Sequence, residues 1–199
     1  MSRRIGKVCV ALGVLCILAA AALAVYNHRQ DRAAEETAQQ ALVRLAETIL
    51  TEEPAGDSDG GVLVDGERYL GLLSLPVLDR ELPVLLEWDM EGLKGAPARY
   101  AGSFSGGGLV IGAHNYDRHF GGLSRLQSGD AVYLTDGAGM VHRYTVALVE
   151  TLGPEDVAAM TDSQWDLTLF TCTYGGQNRV TVRCSAAVGG NHRSAASGG

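Results

Sequence analysis

The 199-residue chain is short of positive charge and of cysteine. Sixteen Lys and Arg stand against 23 Asp and Glu, a formal charge of −7. A phosphate backbone is held by clustered cations, so this balance excludes a nucleic-acid protein and no such partner is expected. Four cysteines are too few for a fold built from disulfides. No His, Cys and Asp cluster has the spacing of metal ligands, so neither a metal nor another cofactor is expected. Internal repeats are absent. Wholesale disorder is excluded as well, because 46% of residues are hydrophobic and only 20% charged.

The apolar residues are unevenly placed. Val8 to Val25, VCVALGVLCILAAAALAV, contains no charged residue, and Arg3, Arg4 and Lys7 precede it. As a helix this run spans about 27 Å, close to the hydrocarbon thickness of a bilayer. Its lack of a polar face argues against a buried soluble helix. The flanking cations predict a single-pass anchor in the cell membrane, with a cytoplasmic N-terminus and the bulk of the chain outside. Ala22-Leu23-Ala24 would fit a signal-peptidase site, but the run exceeds the usual signal core, which favours an uncleaved anchor. Either way the remainder is exported.

Residues 1–26 therefore read as cytoplasmic tip and transmembrane helix. Within 27–61, Ala38, Ala41, Leu42, Leu45, Ile49 and Leu50 follow helical spacing and predict an amphipathic helix. The acidic, turn-rich TEEPAGDSDGG at 51–61 reads as a linker. Residues 62–188 carry short apolar runs broken by Gly, Pro, Asp and Asn. Strands are expected at Tyr69–Leu75, Leu82–Leu86, Leu109–Ala113, Ala131–Thr135, His142–Val149, Leu167–Cys172 and Arg179–Ala187. Short helices are expected at Met90–Lys94 and Glu155–Met160, and a loop at Gly102–Gly108. The pattern predicts an all-β barrel or sandwich. The tail, 189–199, reads as disordered.

Cys9 and Cys16 lie within the apolar run. Cys172 and Cys184 lie outside it, where a disulfide is the first expectation. Strand geometry argues otherwise. A hairpin about Thr173–Asn178 that pairs Cys172 with Arg179 also pairs Leu167 with Cys184. The two sulfurs then stand about 17 Å apart along the sheet, and a disulfide requires Cα atoms within about 7 Å. Cys172 is left as a free thiol at a strand end. A nucleophilic thiol needs a base and a cation nearby. Arg179 begins the return strand beside it and can bind an oxyanion; Arg183 lies about 13 Å further along the same face. Of the five histidines, His28 is juxtamembrane, His192 is in the tail and His142 reads as an exposed edge residue. His119 reads as a packing or capping residue. His114 ends the strand LVIGA where a polar loop begins, a position that presents a side chain to a cleft.

Thr168-Leu169-Phe170-Thr171-Cys172 resembles the TLxTC signature of sortases, membrane-anchored cysteine transpeptidases of mainly Gram-positive bacteria. Gly71–Val84 resembles the family's first strand pair, Val110–Asn115 its strand-end histidine motif followed by Phe120–Leu123, and Arg179–Arg183 its catalytic-arginine strand. The resemblance covers Tyr69 to Val188 together with the N-terminal anchor. It implies a sortase-type closed barrel of about eight strands with short helices, and Cys172, His114 and Arg179 converging at one groove. Cys172 would form a thioacyl-enzyme with the sorting signal of an exported protein, and His114 would be the general acid and base. Arg179 would bind substrate and oxyanion, and Thr171 and Leu169 would line the groove. The acceptor would be an amine of a cell-wall precursor or a pilin.

The interval between Val149 and TLFTC leaves no room for the helical insertion of class B. No Asp-Pro-aromatic lid motif precedes the barrel, although the short Cys172-to-Arg179 spacing resembles class C and some class D or E members. A calcium site like that of class A is not identifiable. Thr171-Cys172-Thr173 lacks the context of an L,D-transpeptidase cysteine, and a papain-like order would place the histidine after the cysteine. The alternative from another class is a non-enzymatic exported β-domain with a Cys172–Cys184 disulfide.

Overall fold

The computed structural model describes residues 2–49, 57–187 and 192–193, with the side chains of part of the first helix left aside. It divides into two compact units, one ending at Glu36 and one beginning at Thr37. Helix α1, Ser2–Ile49, supplies the described part of the first unit. Among the described residues no helix is long and apolar enough to cross a membrane; residues 8–11, 23 and 24 of the apolar run lie outside that description.

In the second unit the last turns of α1 bury Leu45 and Ile49 against Val62, Tyr69, Leu85 and Leu93. The amphipathic spacing thus serves packing, and the compact unit begins before residue 62. Of the expected linker, 51–56 lie outside the described residues. Residues 57–61 close on themselves through an Asp57–Gly61 bridge and are held to the barrel through Asp59, which accepts hydrogen bonds from the Phe104 and Ser105 N–H groups.

Among the described residues ten strands follow: β1 Val62–Val64, β2 Glu67–Leu75, β3 Arg80–Leu85, β4 Ala98–Ser103, β5 Gly107–Ala113, β6 Ala131–Asp136, β7 Met140–Leu152, β8 Leu167–Cys172, β9 Arg179–Ala186 and β10 His192–Arg193. Eight of them close a ring in the order β2-β3-β4-β5-β8-β9-β7-β6, with β6 pairing back to β2. Closure removes the exposed edges of these strands. The short β1 and β10 pair with β2 and β7. β10 takes up two residues of the stretch read as a disordered tail; 188–191 and 194–199 lie outside the described residues.

Alternation along each strand fills the barrel. Leu109, Ile111 and Ala113 of β5, Leu167 and Leu169 of β8, and Val182 and Cys184 of β9 share the main core with Leu73, Phe120 and Leu134. β4, within the ring, and the short β1 and β10 outside it were not expected from sequence. ARYAGS of β4 has no apolar run, and two register shifts interrupt its pairing with β5; of the expected loop Gly102–Gly108, 104–106 form the turn and the rest belongs to β4 and β5. The two expected helices are shorter, a 3-10 turn at Gly92–Lys94 and α2 at Val157–Met160.

Candidate active site

Three consecutive strands end together. β5 and β8 are parallel, with Ala113 opposite Thr171, so the next residues, His114 and Cys172, emerge side by side from strands about 4.8 Å apart. β8 and β9 are antiparallel, with Cys172 opposite Arg179 and Leu167 opposite Cys184. This is the hairpin register expected from the sequence. Both thiols are free, which leaves the disulfide-bridged alternative without its bridge. Cys184 is fully buried in the core, and burial pushes its thiol up to about 12, so it stays protonated and inert.

The turn between β8 and β9 is tightly held. The Thr173 N–H donates to the Asn178 carbonyl at 2.9 Å, and the Asn178 N–H donates to Thr173 Oγ1 at 3.1 Å. Gly175 and Gly176 take φ of +85° and +74°, conformations that glycine adopts without a Cβ clash. The Arg179 guanidinium donates back to the Gly176 and Asn178 carbonyls at 3.1 and 3.2 Å, which fixes its stem beside Cys172.

His114 is half-buried. Burial, then the nearby Lys94 ammonium, holds its imidazole below the ordinary histidine range. Its ring centroid lies 5.0 Å from that of Tyr116. Lys94 is paired with Glu91 at 2.8 Å. After His114 the chain folds back, with Phe120 and Gly121 N–H groups donating to the His114 and Tyr116 carbonyls at 3.3 and 2.9 Å.

The face that carries Cys172 is layered. Farthest from it, Arg183 is 2% exposed and donates to Glu150, Thr168 Oγ1 and the Ala159 and Met160 carbonyls. It pins α2 onto the barrel and is a structural residue. One layer nearer, Phe170 packs with Trp88 and Tyr100 at centroid distances of 5.9 and 5.4 Å. Gly112 makes room for that layer, since a Cβ there would stand 2.5 Å from Phe170 and 2.8 Å from Trp88. Cys172, His114 and Arg179 form the last layer.

Two expected groove residues are corrected by this alternation. Leu169 is 0% exposed within the barrel core. Thr171 is buried, with its hydroxyl donating to the Ala113 carbonyl at 2.8 Å. Neither presents a side chain at the groove; Thr171 instead ties β8 to the strand end that carries His114. The side chains sharing the Cys172 face are Thr168 and Phe170. The signal for Phe170 was available in its position two residues before the cysteine, and for Gly112 in its position two before the histidine. No local signal marked Trp88 or Tyr100, which arrive from the β3–β4 connection and from β4. His142 is also not an exposed edge residue. It bonds the buried Asp136 at 2.8 Å and stacks on Phe104. Burial works against the Asp136 carboxylate, but hydrogen bonds from His142, Ser58 and the Met140 N–H hold it below the usual range. No group of His, Cys, Asp and Glu able to hold a metal ion occurs among the described residues.

The sortase domain family model matches residues 73–187, more than half of the chain and the whole stretch that carries these three strand ends. The chain belongs to the sortase family. Among solved structures it is similar to Streptococcus pneumoniae sortase C, at 23% identity and TM-score 0.58 over 80% of this chain and 90% of that one. Sortase C1 of Streptococcus agalactiae gives 24% identity and TM-score 0.57 over 64% and 72%. Listeria monocytogenes sortase A gives 19% and 0.57 over 62% and 90%. These sortases share the barrel fold. No curated protein matches the sequence.

Proposed function

We propose that this sortase is an exported cysteine transpeptidase that cuts a sorting signal and joins the acyl part to an amine. The supporting observation is the strand register, in which His114, Cys172 and Arg179 leave three neighbouring strands at one end of the barrel. The Cys172 thiolate attacks the scissile carbonyl carbon, and the C=O electron pair moves to oxygen. Arg179 turns its guanidinium from the turn carbonyls to that oxyanion. The oxyanion collapses, the C–N bond breaks and His114, as imidazolium, donates its proton to the leaving amine. A thioester on Cys172 remains. An incoming amine gives its proton to neutral His114 and attacks the thioester carbonyl; the C–S bond breaks and the thiolate returns. No external oxidant or cofactor enters this balance.

The donors are exported proteins bearing a sorting signal, read partly against the aromatic layer of Trp88, Tyr100 and Phe170. The acceptor is an amine of a cell-wall precursor or a pilin; the S. pneumoniae sortase C structure is described in terms of pilin substrate specificity. We place the chain in the cell membrane as a single-pass protein with a cytoplasmic N-terminus, on the strength of the uncharged Val8–Val25 run and the cations before it.

Peptides carrying LPxTG-like and NPxTN-like signals, offered with amine acceptors, test the activity. Cys172→Ala is expected to abolish joining while the barrel melts at the wild-type temperature. His114→Ala and Arg179→Ala are expected to lower kcat/KM by about 10²–10⁴. Joining by Cys172→Ala at the wild-type rate would refute the proposal.

A further inference from the structure

Five residues after His114 stands a second histidine, His119, which the proposed chemistry does not use. It is 4% exposed. One ring nitrogen is hydrogen-bonded to the backbone of Gly95, at the end of the 3-10 turn that carries Lys94. Its Nδ1 is the one buried side-chain polar atom without a hydrogen-bond partner among the described residues. A phenyl ring in this place would bury no orphaned lone pair, so the imidazole is a poor choice for packing alone. What it adds is a hydrogen bond between two segments, the loop after His114 and the β3–β4 connection.

Those are the segments that face His114. The loop contributes Tyr116, whose ring centroid lies 5.0 Å from His114 and 5.5 Å from His119. The connection contributes Lys94, with Glu91 and Asp89 near its ammonium. Cys172 and Arg179 face His114 from the hairpin. The Phe120 N–H, next in the chain to His119, donates to the His114 carbonyl, and Phe120 itself is sealed in the core. A displacement of residue 119 is therefore passed directly to residue 114.

We propose that His119 is a positioning residue: its bond to Gly95 braces the two walls of the site and so fixes the orientation and water exposure of His114. The proposal rests on the reading of His114 as acid and base. Burial keeps the His119 ring neutral down to about pH 4, so its replacement near pH 7 removes no charge. Any change at His114 then reports geometry.

The test uses the full chain with His119→Phe, which keeps the ring volume, and His119→Gln, whose amide can still donate to Gly95. His119→Leu replaces His119→Phe if the latter does not fold. In a Cys172→Ala background, the His114 imidazole is titrated by NMR, which requires no activity. His119→Phe is expected to raise the His114 midpoint by about half a unit, toward the ordinary value, as water reaches the ring. His119→Gln is expected to leave it in place. With Cys172 present, His119→Phe should lower kcat about tenfold with KM for the peptide unchanged, and His119→Gln should restore it. An unmoved His114 midpoint in His119→Phe, or His119→Gln behaving as His119→Phe does, overturns the brace. Absence of joining by the unsubstituted enzyme, with the midpoint shift intact, overturns the transpeptidase reading and leaves the brace standing.

Discussion

Arg179 and Arg183 lie four residues apart on one face of β9, yet burial gives them different tasks. Arg183 is enclosed by Glu150, Thr168 and two carbonyls of the α2 segment, whereas Arg179 lies at the open strand end beside Cys172. The same distinction separates the histidines. His114 is half-buried at the site, and His119 is buried. Burial gives His119 a measurable signature in stability. Above pH 6.5 the ring is neutral in both folded and unfolded chains and contributes no pH dependence. Below that value the unfolded chain takes up a proton that the folded ring refuses until about pH 4, so stability falls as pH falls. The full loss is about 3 kcal/mol. Denaturant unfolding at pH 7 and pH 4.5 is expected to show a smaller acid loss for His119→Phe than for wild type. Equal losses would show that the ring does not titrate in this way.

At the scale of elements, what was legible in the sequence was whatever alternation and turn chemistry control. β8 was read with its observed bounds, because LTLFTC sits between an acidic turn and TYGGQN and pairs along its whole length with β9. From that hairpin alone the Cys172–Arg179 pairing and the unbridged Cys184 followed. β4 was illegible because bulges break its pattern. The aromatic layer was illegible because Trp88, Tyr100 and Phe170 come from three separate stretches of chain and meet only over Gly112. Thr171 and Leu169 were misplaced because resemblance marks a motif without telling which of its side chains faces inward; the parity of the strand does. The layer also yields a prediction. Gly112→Ala puts a Cβ against Phe170 and Trp88 and is expected to cost about 1–3 kcal/mol. It should lower kcat/KM for peptide more than it lowers stability at working temperature, because the displaced rings lie one layer from Cys172. Wild-type kcat/KM in that variant would separate the layer from substrate reading.

For the whole molecule, a barrel closed by eight strands supplies a rigid rim, and the rim is where His114, Cys172 and Arg179 stand. The uncharged segment before it is the proposed membrane anchor. In flotation with phospholipid vesicles, the full chain is expected to rise with the lipid and a chain beginning at Thr37 to stay below. Flotation of both, or of neither, would contradict the proposed anchor. The chemistry itself is tested most directly by trapping the acyl-enzyme. Incubation with a cleavable sorting peptide and no amine acceptor, followed by acid quench and peptide mapping by mass spectrometry, should find the acyl fragment on the peptide that contains Cys172. Hydroxylamine should remove it, and Cys172→Ala should carry none. Cleaved peptide with no adduct on Cys172, or an adduct on another residue that persists in Cys172→Ala, would contradict the account.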